Sequence, residues 1–74
     1  MITLKTRTKR KLLNDGRYVD LCEFYEPVKV GDIIELKYYK DAPVSHSCEI
    51  IARCNGGYYV YIPDEQPKYI KDKI

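Results

Sequence analysis

The chain has no tryptophan, a single phenylalanine, one methionine and one histidine among its 74 residues. It also lacks any apolar run near the roughly 20 residues that cross a bilayer as a helix, so no membrane span is expected. The amino terminus, Met1-Ile-Thr-Leu-Lys5, turns basic without an apolar signal core, and a cytoplasmic location is the expectation. Cysteine is sparse and odd in number: Cys22, Cys48 and Cys54 cannot close a disulfide framework without leaving one thiol over, and reduced thiols fit the same compartment.

Scarcity of the right neighbours also argues against chemistry. Structural zinc sites draw ligands from tight pairs such as Cys-x-x-Cys, whereas here the nearest pair is His46-Ser-Cys48 and Cys22 and Cys54 are scattered, so no metal and no cofactor are expected. His46 lies in a stretch with Ser45 and Ser47 and reads as a solvated loop histidine. As a thiolate partner for Cys48 it lacks an orienting group and an oxyanion site. Asp64-Glu65, and Glu23 with Glu26, read as surface charge. The expectation is a protein that is not an enzyme and has no evident small-molecule substrate.

What is abundant is tyrosine, eight in all, and charge, at 32% of residues. The net charge of +2 conceals a polarity. Residues 1–17 hold six cations (Lys5, Arg7, Lys9, Arg10, Lys11, Arg17) against Asp15, which leaves the rest of the chain acidic. Lys5, Arg7, Lys9 and Lys11 stand at alternate positions with only threonines and Arg10 between them. In a regular strand that spacing puts all four on one face, about 6.6 Å apart. Such a ladder can neutralise successive phosphates; it can equally protect an exposed edge, or pair with Asp20, Glu23 and Glu26 across a hairpin.

Turn chemistry divides the chain into five short strands. Asn14-Asp-Gly16 separates the basic run from Tyr18–Tyr25, predicting a hairpin. Pro27 and then Gly31-Asp32 precede Ile33–Tyr39, and a loop from Lys40 to Ser47 leads into Cys48–Cys54. Asn55-Gly-Gly57 then turns the chain into Tyr58–Ile62. A three-residue loop there pairs Cys54 with Tyr58, Arg53 with Tyr59, Ala52 with Val60, Ile51 with Tyr61 and Ile50 with Ile62. One face then collects Ile50, Ala52, Cys54, Tyr58, Val60 and Ile62, and the other Glu49, Arg53, Tyr59 and Tyr61 with Ile51. With no long helix, the expected fold is all-β: a small five-stranded antiparallel barrel, SH3-like or OB-like, over residues 1–63, followed by a short C-terminal tail over 64–74 in which Tyr69, Ile70 and Ile74 can dock.

Val28-Lys-Val-Gly-Asp-Ile-Ile-Glu-Leu36 resembles the start of a strand in several small-barrel families, among them PUA-like, ASCH and KOW-type modules that often act on RNA. The resemblance covers about nine residues of the 74, and no functional residue is carried over from it. From the residues themselves, the expected function is a binding module. Lys5, Arg7, Lys9, Lys11 and Arg53 would supply charge and Tyr59 and Tyr61 stacking or anchoring, toward RNA or single-stranded DNA or a nucleoprotein complex. The alternative is a compact inhibitor or adaptor, of phage or mobile-element type, that occupies the surface of a host protein.

Overall fold

A computed structural model describes residues 1–66. Five strands account for most of them: β1 (Ile2–Leu12), β2 (Tyr18–Phe24), β3 (Ile33–Lys37), β4 (His46–Cys54) and β5 (Gly57–Tyr61). They are followed by one 3-10 turn, η1 (Pro63–Glu65). Neighbours run β1-β2-β5-β4-β3 and the ring closes on itself, so the small all-β barrel expected from the turn spacing is the fold. Four of its junctions are antiparallel; β1 and β3 run parallel over two pairs, Ile2 with Leu36 and Thr3 with Lys37. A ring with an odd number of strands cannot alternate direction all the way round, and this short seam is where the mismatch falls.

Pairing assigns the faces, because partners across a ladder share a side. Cys22, Leu36, Cys48, Ile50, Val60 and Ile62 point inward and form one core cluster with Val28, against which Ile2, Leu4, Phe24, Ile34, Tyr38 and Tyr58 pack. Apart from Leu4 and Leu36, all are small or β-branched, or are aromatic. That composition fits an interior that narrows to the width of a few side chains.

β1 departs from regular alternation. Nine of its residues, Leu4 to Leu12, face seven of β2, Tyr18 to Phe24, and the register shifts twice, between Leu4 and Thr6 and between Arg7 and Arg10. Each shift is a bulge, which bends the strand and raises its twist. A long strand needs such bends to wrap a ring this small.

The β4–β5 hairpin is one residue tighter than the sequence pattern predicts. Cys54 pairs with Gly57, Arg53 with Tyr58 and Ala52 with Tyr59; beyond a shift at Ile51, Ile50 pairs with Val60 and Glu49 with Tyr61. The two-residue loop Asn55-Gly56 replaces the expected three because Gly57 belongs to the strand. Its backbone has φ of +139°, and a Cβ built there would meet the Cys22 carbonyl oxygen at 2.3 Å. Only glycine permits this approach of β5 to β2.

Of the expected tail, residues 64–66 are fastened to the barrel; the rest, including Tyr69, Ile70 and Ile74, lies outside the described residues. Gln66 acts as a surrogate strand residue. Its Oε1 accepts the Tyr18 amide at 2.8 Å, and its Nε2 donates to the carbonyls of Tyr18 at 3.0 Å and Ile62 at 2.9 Å. This extends the β2–β5 ladder past Tyr61 with side-chain atoms.

Gly57→Ala is expected to destabilise the fold by about 2 kcal/mol or more, because a strained φ and a backbone clash combine. Gly16→Ala, whose new Cβ meets nothing within 4 Å, should cost only about 1 kcal/mol. Urea denaturation of both variants checks the contrast; equal midpoints would show that β5 can back away from β2.

Candidate functional site

The two bulges redistribute the cations of β1. Arg7 pairs with the fully buried Cys22 and Arg10 with the buried Asp20, so both lie on the inner side at one end of the ring, whereas Lys11 pairs with Val19, which alternation with Asp20 puts on the outer side although it too is fully buried. Lys5 stands at the first bulge and Lys9 in the second. The single-faced ladder of Lys5, Arg7, Lys9 and Lys11 is therefore not formed. A residue spacing of three, as between Arg7 and Arg10, can serve one face only when an extra residue is inserted between them.

Arg7 and Arg10 are committed to the fold. The Arg10 guanidinium bonds Asp20 through Nε at 3.0 Å and Nη2 at 3.3 Å, and Nη2 also donates to the Glu65 carbonyl at 2.7 Å. The bonds to Asp20 hold the Arg10 pKa above its ordinary value, against the opposing effect of burial. Arg7 sits 5.0 Å over the Tyr38 ring and 3.8 Å from the Glu65 carboxylate.

Around them a polar cap closes this end of the barrel. Tyr38 donates to Glu65 Oε2 at 2.7 Å and stacks on His46 with centroids 4.4 Å apart, while His46 Nδ1 meets Asp64 Oδ2 at 2.8 Å. Burial, reinforced by the Glu65 carboxylate, raises the Tyr38 pKa, so its hydroxyl stays a donor. His46 is thus the first residue of β4, half-buried between Tyr38 and η1, and not the solvated loop residue its serine neighbours suggest. Asp64 and Glu65, which read as surface charge, are the partners that hold the cap. Cys48 does not face the imidazole; its Sγ donates to the His46 carbonyl at 3.3 Å.

The outer face carries the tyrosines. One row crosses all five strands: Lys11, Val19, Tyr61, Glu49 and Ile33. The next row brings Leu21, Tyr59 and Ala52 together. Tyr59 and Tyr61 thus lie on the outer side as the sequence pattern predicts, on a strand flanked by β2 and β4. Arg53 does not join them. The tighter hairpin puts it opposite Tyr58, 5.9 Å over that ring.

In its place the β1–β2 hairpin supplies two cations to the tyrosine face. Lys11 Nζ lies 5.4 Å over Tyr59, and the Arg17 guanidinium lies 4.9 Å over Tyr61 while reaching Asp15 at 2.8 Å and Glu49 at 3.7 Å. Arg17 also donates its amide to Asp15, which together with the side-chain bond lowers the Asp15 pKa. Sequence reading counted Arg17 only as charge. Its position two residues after Asp15 and immediately before β2 is the signal the sequence offers.

A concave region opens beside the β1–β3 seam. It is a groove of about 610 Å³ lined by Thr3, Leu4, Lys5, Tyr25, Glu26, Tyr38, Tyr39 and Lys40. Lys5 Nζ is 6.0 Å from the Tyr25 centroid, and Glu26 Oε1 accepts the Thr3 amide at 2.7 Å, which lowers the Glu26 pKa and keeps it ionised. Among the described residues, no group of three His, Cys, Asp or Glu side chains is placed to hold a metal ion, and no helix is long and apolar enough to cross a membrane. No protein family, curated protein or solved structure matches this chain.

Two measurements test this assignment of side chains. Arg10→Ala leaves the Asp20 carboxylate buried and uncompensated, and should cost about 3 kcal/mol in urea unfolding at pH 7, more than Asp20→Asn, which removes the buried charge itself. Burial pushes the Cys22 and Cys48 thiols up to about 12, so only about 10⁻⁴ of either is thiolate at pH 8. Iodoacetamide at that pH should therefore add one group to the folded protein, at the half-buried Cys54, and three after unfolding, as read by intact mass. Rapid labelling of Cys22 or Cys48 in the folded protein would contradict the closed core.

Proposed function

We propose that the protein is a binding module for single-stranded nucleic acid that docks along the outer side of β1 and the adjoining tyrosine face. The observation that carries this reading is the contrast between two classes of cation. Arg7, Arg10 and Arg17 are paired with carboxylates, whereas among the described residues Lys5, Lys9 and Lys11 have no carboxylate within ion-pair distance. Lys5 and Lys9 stand at the bulges, where a strand re-aims its side chains.

Magnitudes favour exchange of the cation–aromatic contacts for a ligand. An exposed cation–π contact contributes about 0.5–1 kcal/mol, while stacking of a base on an aromatic ring contributes about 1–3 kcal/mol. A base can therefore displace Lys11 from the Tyr59 ring and leave its ammonium for the phosphate. Tyr59 and Tyr61 are stacking groups, Lys5, Lys9 and Lys11 phosphate contacts, and Arg17 a positioning residue over Tyr61. Arg7 and Arg10 shape the barrel end that carries them.

Three phosphate contacts give a salt slope of about −2 for single strands, or about a 20-fold loss of affinity between 50 and 200 mM salt. Fluorescence anisotropy with labelled dT and rU oligomers should show that loss, and Lys9→Ala should make the slope shallower by about 0.7. Absence of binding at low salt overturns the proposal.

A second reading is favoured by one feature: Ile33 ends the Lys11–Tyr61 row with 66% of its surface exposed, and an exposed isoleucine does nothing for a polyanion. Tyrosine, arginine and an apolar side chain on one face suit a protein interface, as an inhibitor or adaptor of the phage type would use. A stoichiometric protein that co-purifies after nuclease treatment, and is lost with Ile33→Asp, supports this reading over the first.

A further inference from the structure

The groove beside the seam shares only Lys5 with the cation ladder of the first strand, and its lining has a different character from the outer face. Tyr25 and Tyr39 are 69% and 59% exposed, so neither ring contributes its area to the core. Lys5 and Lys40 share the groove with them, against one carboxylate, Glu26, whose Oε1 is occupied by the Thr3 amide. Across the seam Lys37 pairs with Thr3, adding a third cation to the same end of β1.

We propose that this groove is a nucleotide subsite, resting on the single-strand reading above. It takes one base against Tyr25 and Tyr39, with the attached phosphate between Lys5 and Lys40. Size and chemistry both support it. Its volume of about 610 Å³ lies within the roughly 300–1,000 Å³ of small-molecule sites. Its apolar surface is chiefly aromatic, with Leu4 beside the rings, and its uncompensated charge is positive, which is the complement of a flat ring bearing an anion and not of a cationic ligand. Lys5 holds Tyr25 only at the outer limit of a cation–π contact, about 6 Å, so its ammonium is available. Among the lysines of β1, Lys5 is the one that also lines the groove, so a strand that follows Lys11 and Lys9 toward the amino end of β1 is led to the groove by Lys5.

The test uses the intact chain with two probes, a labelled dT oligomer and a nucleoside 5′-monophosphate. Tyr39→Ala should weaken oligomer binding about tenfold, equivalent to one stacked base, and Lys40→Ala should make the salt slope shallower by about 0.7. In amide NMR spectra the monophosphate alone should shift Thr3–Lys5 and Tyr39–Lys40. Saturation by the monophosphate with no gain for the oligomer identifies a free nucleotide as the ligand, whereas tighter oligomer binding identifies a strand. If the oligomer binds the wild-type chain and Tyr25→Ala, Tyr39→Ala and Lys40→Ala all bind equally well while Lys9→Ala does not, the groove is not a subsite and the single-strand reading survives. If the wild-type chain binds neither probe at low salt, both fall together. Tyr39 and Lys40 are exposed and outside the core, so their variants remain folded, which unchanged urea midpoints verify.

Discussion

A carboxylate inside a barrel this small constrains everything around it. Asp20 faces the interior beside Val60 and Cys22, where an unpartnered charge would cost several kcal/mol. Arg10 must reach it from the same side of the neighbouring strand. Arg7 occupies that side too, opposite Cys22, and the odd spacing between the two arginines forces the second bulge of β1. The bulge puts Lys9 where the ladder is interrupted, and the Arg10 Nη2 that bonds Asp20 also captures the Glu65 carbonyl. One ion pair thus links the curvature of the first strand, the exposure of a lysine and the attachment of η1 at the barrel end. Arg10–Asp20 is better described as a device of specificity than as a source of stability, since an apolar pair of equal volume could fill the same space.

Most of the architecture is legible from turn residues and alternation. Glycine-bearing turns locate both hairpins, Pro27 ends β2, and the apolar phase of Cys48–Ile50 and Val60–Ile62 finds the core. The outward placement of Tyr59 and Tyr61 follows from the same phase. What is not legible depends on events between strands. Asn55-Gly56-Gly57 is compatible with a loop of two or three residues, and the choice is made by the approach of Gly57 to Cys22, a contact 35 positions away in sequence. That one-residue difference moves Arg53 off the tyrosine face. The bulges of β1 are equally hidden, because a local pattern of alternating cations looks regular until its partner strand proves two residues shorter. His46 looked solvated because its partners, Tyr38, Asp64 and the turn that carries Asp64, come from both sides of it in sequence.

Tyrosine has a consistent role across the molecule that neither an aliphatic side chain nor tryptophan would fill. Each of Tyr18, Tyr25, Tyr38, Tyr58, Tyr59 and Tyr61 lies beneath a lysine or arginine. The rings give the long cationic side chains a surface to lie on, which lowers their conformational freedom without neutralising them. A basic surface kept ordered in this way loses less entropy when it meets an anion than one with free side chains. Where the arginines are also salt-bridged their charge is compensated within the fold; where the lysines are not, the charge is left to the surface.

The odd strand count has a last mechanical consequence. Four junctions of the ring are ladders of four or more pairs, and the fifth, between β1 and β3, is two pairs long and parallel, the less stable geometry per residue. The ring is therefore a bracelet with a clasp, and the clasp is its most sparsely paired junction. Thr3 and Lys5 lie on one side of it and Tyr38 to Lys40 on the other. A molecule that touches both sides pins the clasp shut and transfers its own binding free energy to the cohesion of the whole fold, so that occupancy at one rim would be felt as rigidity throughout the barrel.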